Sequence, residues 1–307
     1  MTQRLRGSTA ATAVGAVAVG VVLAVALAGH RDDFAQALGA APVWVLLLAT
    51  ALQLVALVSR CEAWRTCVAA AGGVISRRRL FHAGGLGNLG SLLNAQVGAA
   101  ARIAVLRRSG RDEVPHIPAL IAAEVPILAI EAALAVLASF TLVGPLGLPW
   151  WAPIAGFAVA VAVVHGLRKL AGKGHGVWSG LAVLRSVDGR MRVTAFVLLA
   201  VFAQIARNWL VLRALGVDAS IFDATAVLIA MVVLSQLPIG PSVGAAAVVM
   251  ILGAGGVALT AAAGVLLTAT GIAGALCFAV WAGVDVLARP RERARRRAMR
   301  LAAAPAG

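Results

Sequence analysis

The sequence predicts an all-α polytopic membrane protein with six full spans plus two broken re-entrant hairpins in an inverted repeat, or about eight to ten helices if the hairpins cross. Three observations carry this expectation. The 307 residues are 61% hydrophobic and only 13% charged, with a mean hydropathy of +0.95, more apolar surface than a soluble core absorbs. Apolar runs of about the length that crosses a hydrocarbon core recur along the chain. The letters VGAAA occur twice, from Val97 and from Val243, each time inside an interrupted apolar stretch.

The runs, in order, are Ala10–Gly29, Ala41–Ser59, Ile117–Val143, Trp151–Val164, Val193–Leu212 and Val257–Leu287. The fourth falls short of the usual ~20 residues and relies on its flanks. The first follows Arg4 and Arg6 and ends in Ala26-Leu27-Ala28, a pattern shared with signal peptides. It is longer than a usual signal-peptide core, so a retained span is expected.

The net charge of +15 sits beside the runs rather than spread over a surface: Arg77, Arg78 and Arg79, then Arg107, Arg108 and Arg111, then Arg168 to Arg192, then the tail RPRERARRRAMR. That is positive-inside patterning, which argues against a nucleic-acid partner. Placing every basic cluster in the cytoplasm of a bacterial-type plasma membrane puts both termini inside, with GPLGLPWW turning at the outer face. Cys61, Cys67 and Cys277 lack CxxC spacing and read as apolar fillers, and the histidines form no metal-ligand spacing, so no cofactor or metal is expected.

Two stretches are too broken for lipid-facing helices. Leu80 to Leu106 carries His82, Asn88, Asn94, Gln96 and several glycines; Ile221 to Gly255 breaks at Pro238-Ile239-Gly240-Pro241. Irregular backbone at membrane depth needs a covering of protein or water, so a hairpin entering from inside and another from outside are expected, with two full crossings each as the alternative. Cut near residue 150, each half reads span, span, broken hairpin, span. Residues 1–150 and 151–287 are then the two inverted halves, and 288–307 a basic cytoplasmic tail. The approach to the hairpins repeats loosely as well: Trp64, Gly73-Val74, Ser76 and Phe81 against Trp209, Gly216-Val217, Ser220 and Phe222.

Candidate binding residues follow from the hairpins. Asn94 to Gly98 and Gly240 to Gly244 would start half-helices whose free N–H groups and dipole attract anions. Arg102 lies further along the first, with Asn88 and Asn94 as further donors; equally, the glycines and alanines simply let helices pack closely. Glu124 and Glu131 fall on one face of the third span, with the helix-weakening Pro126 between them. Each serves coupling or a structural ion pair, Glu131 being neutral or paired with Arg102 or Arg207. Arg207, beside Gln204 and Asn208, is a further ligand candidate, mirrored by Arg60, Glu62 and Arg65; snorkelling explains most of these.

RCEAWR after the second run, the Asn94–Gly98–Arg102 pattern followed by LRRSG, Glu124, and the broken Ser235–Gly244 segment together resemble the lysylphosphatidylglycerol synthase transmembrane-region family. The resemblance spans nearly the whole chain and implies a flippase-like polytopic protein. NAQVGAAAR departs from the family pattern in lacking a proline before the glycine and an acid after it, and SQLPIGPSVGAAAVV lacks the family's glutamate. Residues 288–307 leave no room for the aminoacyl-transferase domain of full-length synthases, so no lysyl-lipid synthesis is expected.

The expected function is handling of an anionic membrane lipid, a phospholipid or polyprenyl-phosphate carrier, without catalysis. The alternative is a non-transporting accessory subunit bound to a membrane protein partner, an envelope lipid- or glycan-modifying enzyme. A membrane-embedded transferase would need a nucleophile–base pair or a metal constellation, and the sequence offers neither.

Overall fold

The computed structural model describes residues 31–91, 95–109, 116–173, 176–235, 243–253 and 256–302. The expected first span at Ala10–Gly29, together with Asn94 and Gly240, lies outside them. The described residues are helical, without a strand.

Helix α1 (Arg31–Ala40) opens with Asp32 and Asp33 in its first turn, where the helix dipole favours acids. Pro42, extended, starts α2 (Val43–Ala70), which ends at Gly72, whose φ of +89° lets the chain turn without a Cβ penalty. Helices α3 (Arg77–Ser91) and α4 (Ala95–Ser109) follow as a packed pair. The third span breaks near Pro126, as its missing N–H predicts: α5 (Ile117–Ala122) stops, and α6 (Val125–Ala138) starts with that proline in its first turn. A 3-10 turn (Ser139–Leu142) and α7 (Val143–Leu146) carry the chain to Gly147 and to the exposed Trp150 and Trp151.

Helix α8 (Ala152–Lys173) and a 3-10 segment (Gly176–Arg185) lead into α9 (Val187–Ala214), capped by the Ser186 hydroxyl, which accepts from the Gly189 N–H. Like α2, α9 has 28 residues and ends at a glycine with positive φ, Gly216. Ser220 and Asp223 form a capping box at the start of α10 (Ile221–Leu234). Helix α11 (Val243–Leu252) and the long α12 (Val257–Ala302) complete the chain.

Among the described residues, four stretches are long and apolar enough to cross a membrane: Val43–Ala70, Ile117–Leu146, Val187–Ala214 and Val257–Gly283. They coincide with the second, third, fifth and sixth apolar runs of the sequence. In α8 the apolar part, Ala152–Val163, is short, so this helix depends on its polar flank. The architecture fits a multi-pass membrane protein.

The central contact is the antiparallel pair α2–α9, which Ala56, Ala200 and Ala203 allow to approach closely. Each end of this pair carries its own core. At one end Trp64, Cys67 and Val68 of α2 meet Val193 and Val197 of α9, with Leu80 and Ala83 of α3, Leu106 of α4, Leu120 of α5 and Ile127 of α6. At the other, Val45 and Ala49 meet Val211 and Leu212, with α10, α11 and the first turns of α12. A smaller cluster joins Phe81 of α3 to Phe278 of α12, and Trp281 stacks edge-on to Phe81. Helices α3 and α4 have 15 residues each, so each spans ~22 Å; α10 and α11 have 14 and 10. All four are shorter than the ~30 Å hydrocarbon core.

Candidate functional site

The α3–α4 crossing is set by glycines. A Cβ on Gly98 would lie 2.6 Å from the Gly87 carbonyl oxygen, and one on Gly87 would lie 3.0 Å from the Arg102 Cβ. Only hydrogen at these positions lets α4 lie on α3 and lets Arg102 pass alongside. Asn88, half-buried, follows Gly87 on the same helix.

Arg102 therefore reaches α2 and the break before α6. Its guanidinium carbon stands 4.8 Å from the centre of the Trp64 ring, and its Nη1 lies 3.3 Å from Glu124 Oε1. The pair is ionic, without hydrogen-bond alignment: Arg102 Nε, Glu124 Oε1 and Trp64 Nε1 are all sealed from solvent and have no hydrogen-bond partner among the described residues. Three polar atoms of these contacting residues thus keep unused bonding capacity, two of them donors.

Around this centre the glutamates divide. The sequence suggested Glu131 with Arg102 or Arg207; instead Arg60 Nη2 donates to Glu131 Oε2 at 2.8 Å. The break at Ala123-Glu124 separates the two acids, so each faces a different arginine. Of Arg60, Glu62 and Arg65, the snorkelling reading fails at Glu62, while the two arginines keep 44% side-chain exposure. Glu62 is nearly buried, receives Arg65 Nε at 2.6 Å and makes a second ion pair with Arg77.

Arg207 is also corrected from snorkelling. It is 4% exposed, with Nη1 donating to Gln53 Oε1 and Nη2 to Asn208 Oδ1, in contact range of Gly271 of α12. No carboxylate pairs with it among the described residues, and Arg207 Nε and Asn208 Nδ2 lack partners there. Gln53 is accordingly its main support. Gln53→Leu should cost about 2 kcal/mol by stranding a charged donor, whereas Arg207→Met with Gln53→Leu should cost less than Gln53→Leu alone, because an apolar pair leaves no buried charge. Thermal melts of the two purified variants check that order.

No family model, curated protein or solved structure matches the chain.

Gly98 and Gly244 are not gathered at one point. Gly244 begins α11 against α12, where a Cβ would lie 2.5 Å from the Gly264 carbonyl oxygen, in the opposite core from Gly98. The described site is therefore Arg102, Trp64 and Glu124, with Arg207 and Gly244 at the other end of α2–α9. Gln53, and the partners of Trp64 and Glu62, escaped sequence reasoning: RCEAWR stands out as a motif, but which side chains from other helices meet it carries no spacing signal.

Proposed function

We propose that this chain is a flippase-like membrane protein, of the lysylphosphatidylglycerol synthase transmembrane-region type, that binds an anionic lipid and moves it between leaflets without catalysing a reaction. The phosphate of a phospholipid or polyprenyl-phosphate carrier is the recognised group. The observation that carries the reading is Arg102, whose guanidinium faces Trp64 and an imperfectly aligned carboxylate while its Nε has no acceptor among the described residues. Phosphate oxygens would satisfy Arg102 Nε and Trp64 Nε1 together, in competition with Glu124. Displaced from Arg102, Glu124 would lose its cationic partner, and this exchange of partners is the coupling role proposed for it.

An inverted repeat supplies the alternating movement. Its support is the repeated order of elements: a 28-residue helix, a positive-φ glycine, a loop ending at Ser76 or Ser220, two short helices, then a long span. The short arms and their placement in cores at opposite ends of α2–α9 favour re-entry from opposite faces. The basic segments at the Trp64 end orient it to the cytoplasm. In a background freed of native cysteines, Val74→Cys should label from the cytoplasmic side and Trp150→Cys from outside. Labelling of both from one side would remove the topology.

The binding test is native mass spectrometry of purified protein with phosphatidylglycerol and phosphatidylcholine of matched tails. Arg102→Ala should lower retention of the anionic lipid by about tenfold, the worth of a hydrogen bond to a charged group. Arg102→Lys should restore part of it, since a point charge replaces a fork. Unchanged retention in a folded Arg102→Ala protein would reject the site.

A further inference from the structure

The ion pairs at the Trp64 end are not evenly matched. Arg60 faces Glu131 and Arg102 faces Glu124, one to one, whereas Arg65 and Arg77 share the single carboxylate of Glu62. These two arginines, with side chains 44% and 65% exposed, stand at the head of a groove of about 530 Å³ between α2 and α9. Below them the groove is walled by Val55, Val58, Phe196 and Leu199.

The groove's chemistry follows from helical spacing. Val55, Val58, Glu62 and Arg65 form one stripe of α2, apolar toward the middle of the helix and charged toward its basic end. From Val55 to Arg65 the helix rises ~15 Å, about half the hydrocarbon thickness. An apolar channel one leaflet deep, closed by surplus positive charge at headgroup level, has the shape and polarity of a single lipid.

We infer that this groove binds an anionic phospholipid from the cytoplasmic leaflet, its phosphate bridging Arg65 and Arg77 and one tail lying along Val55, Val58, Phe196 and Leu199. The site is distinct from Arg102, which approaches Trp64 rather than the Glu62 stripe. The inference rests on the lipid-handling reading for its substrate class, and it makes the groove the place where lipid is collected before reaching Arg102. One phosphate gives the two guanidiniums a second anion to share, completing the charge balance that Glu62 leaves unfinished.

The test is photocrosslinking in nanodiscs, using phosphatidylglycerol or phosphatidylcholine with a diazirine in one tail, with the labelled residues read by peptide sequencing. Label from phosphatidylglycerol should concentrate at Val55, Val58, Phe196 and Leu199, and exceed that from phosphatidylcholine. Arg65→Gln and Arg77→Gln, tested singly so that Glu62 keeps one cation, should each lower that preference about fivefold, as expected for a basic residue at an anionic surface. Leu199→Trp fills the groove from a half-exposed position without removing packing, and should abolish the label from both lipids. Equal labelling by both lipids, or no effect of either arginine variant, overturns the inference. Protection of the groove by a co-purifying protein would overturn it too, by assigning the surface to a partner helix. Transport is measured separately on the same proteins. Equal labelling of the wild-type groove by both lipids, with intact transport, rejects the groove alone; selective groove labelling without transport rejects the flippase reading alone.

Discussion

Gly98→Ala should destabilise the protein by about 3 kcal/mol, a large share of the usual folding free energy, although it adds one methyl group. The new carbon would lie 2.6 Å from the Gly87 carbonyl oxygen, and the Ser91 side chain would also have to move. Backbone cannot swing aside as a flexible side chain does, so α4 must lift from α3. That lift disturbs the core holding Leu80, Ala83 and Leu106, and moves Arg102 away from Trp64. Gly166→Ala is the control. It lies within α8 with nothing within 4 Å of the added carbon, so helix propensity alone predicts a gain of up to about 1 kcal/mol. Thermal melts of the two alanine variants should therefore move in opposite directions. A Gly98→Ala protein that melts like wild type would mean that α3 and α4 do not cross at these glycines.

The second large effect is a rescue. Arg102→Ala strands Glu124 beside a helix break in an apolar core, and losing one partner of a buried pair costs about 3 kcal/mol, the low end of the usual range because both side chains keep some exposure. Arg102→Ala with Glu124→Gln should return the melt to within about 1 kcal/mol of wild type, since no charge is left unpaired. Arg102→Ala with Glu131→Gln should not, because Glu131 belongs to Arg60. The more exposed Arg60–Glu131 pair should itself be worth only about 1 kcal/mol. Recovery of the fold without recovery of lipid retention in the first double variant separates the binding role of Arg102 from its structural one.

Much of the architecture was legible because it depends on composition and length. The membrane-length runs after the first, the break near Pro126 and the turn at GPLGLPWW follow from hydropathy and from the chemistry of proline and glycine, and the elements fall there. The candidate site was less legible because it depends on which helix meets which. Arg102 could be singled out as a costly charge in an interrupted apolar stretch. Nothing in its spacing says that α4 lies on α3 at Gly87 and aims the side chain at Trp64 and Glu124 rather than at Glu131. The same holds for Arg207: its position near a helix end suggests a side chain reaching the interface, but the close α2–α9 packing encloses it beside Gln53. Pairings between separate helices are fixed by tertiary contact, not by local pattern.

The most direct test of lipid movement is the rate at which tail-labelled fluorescent phosphatidylglycerol on the inner leaflet of proteoliposomes becomes accessible to an impermeant quencher. Wild-type protein should make it accessible faster than protein-free vesicles do. The Arg102→Ala, Glu124→Gln double variant, matched to wild type in thermal stability, should fall back toward the protein-free rate. Wild-type vesicles no faster than empty ones, or a folded double variant that transports at the full rate, would contradict the proposed function of Arg102.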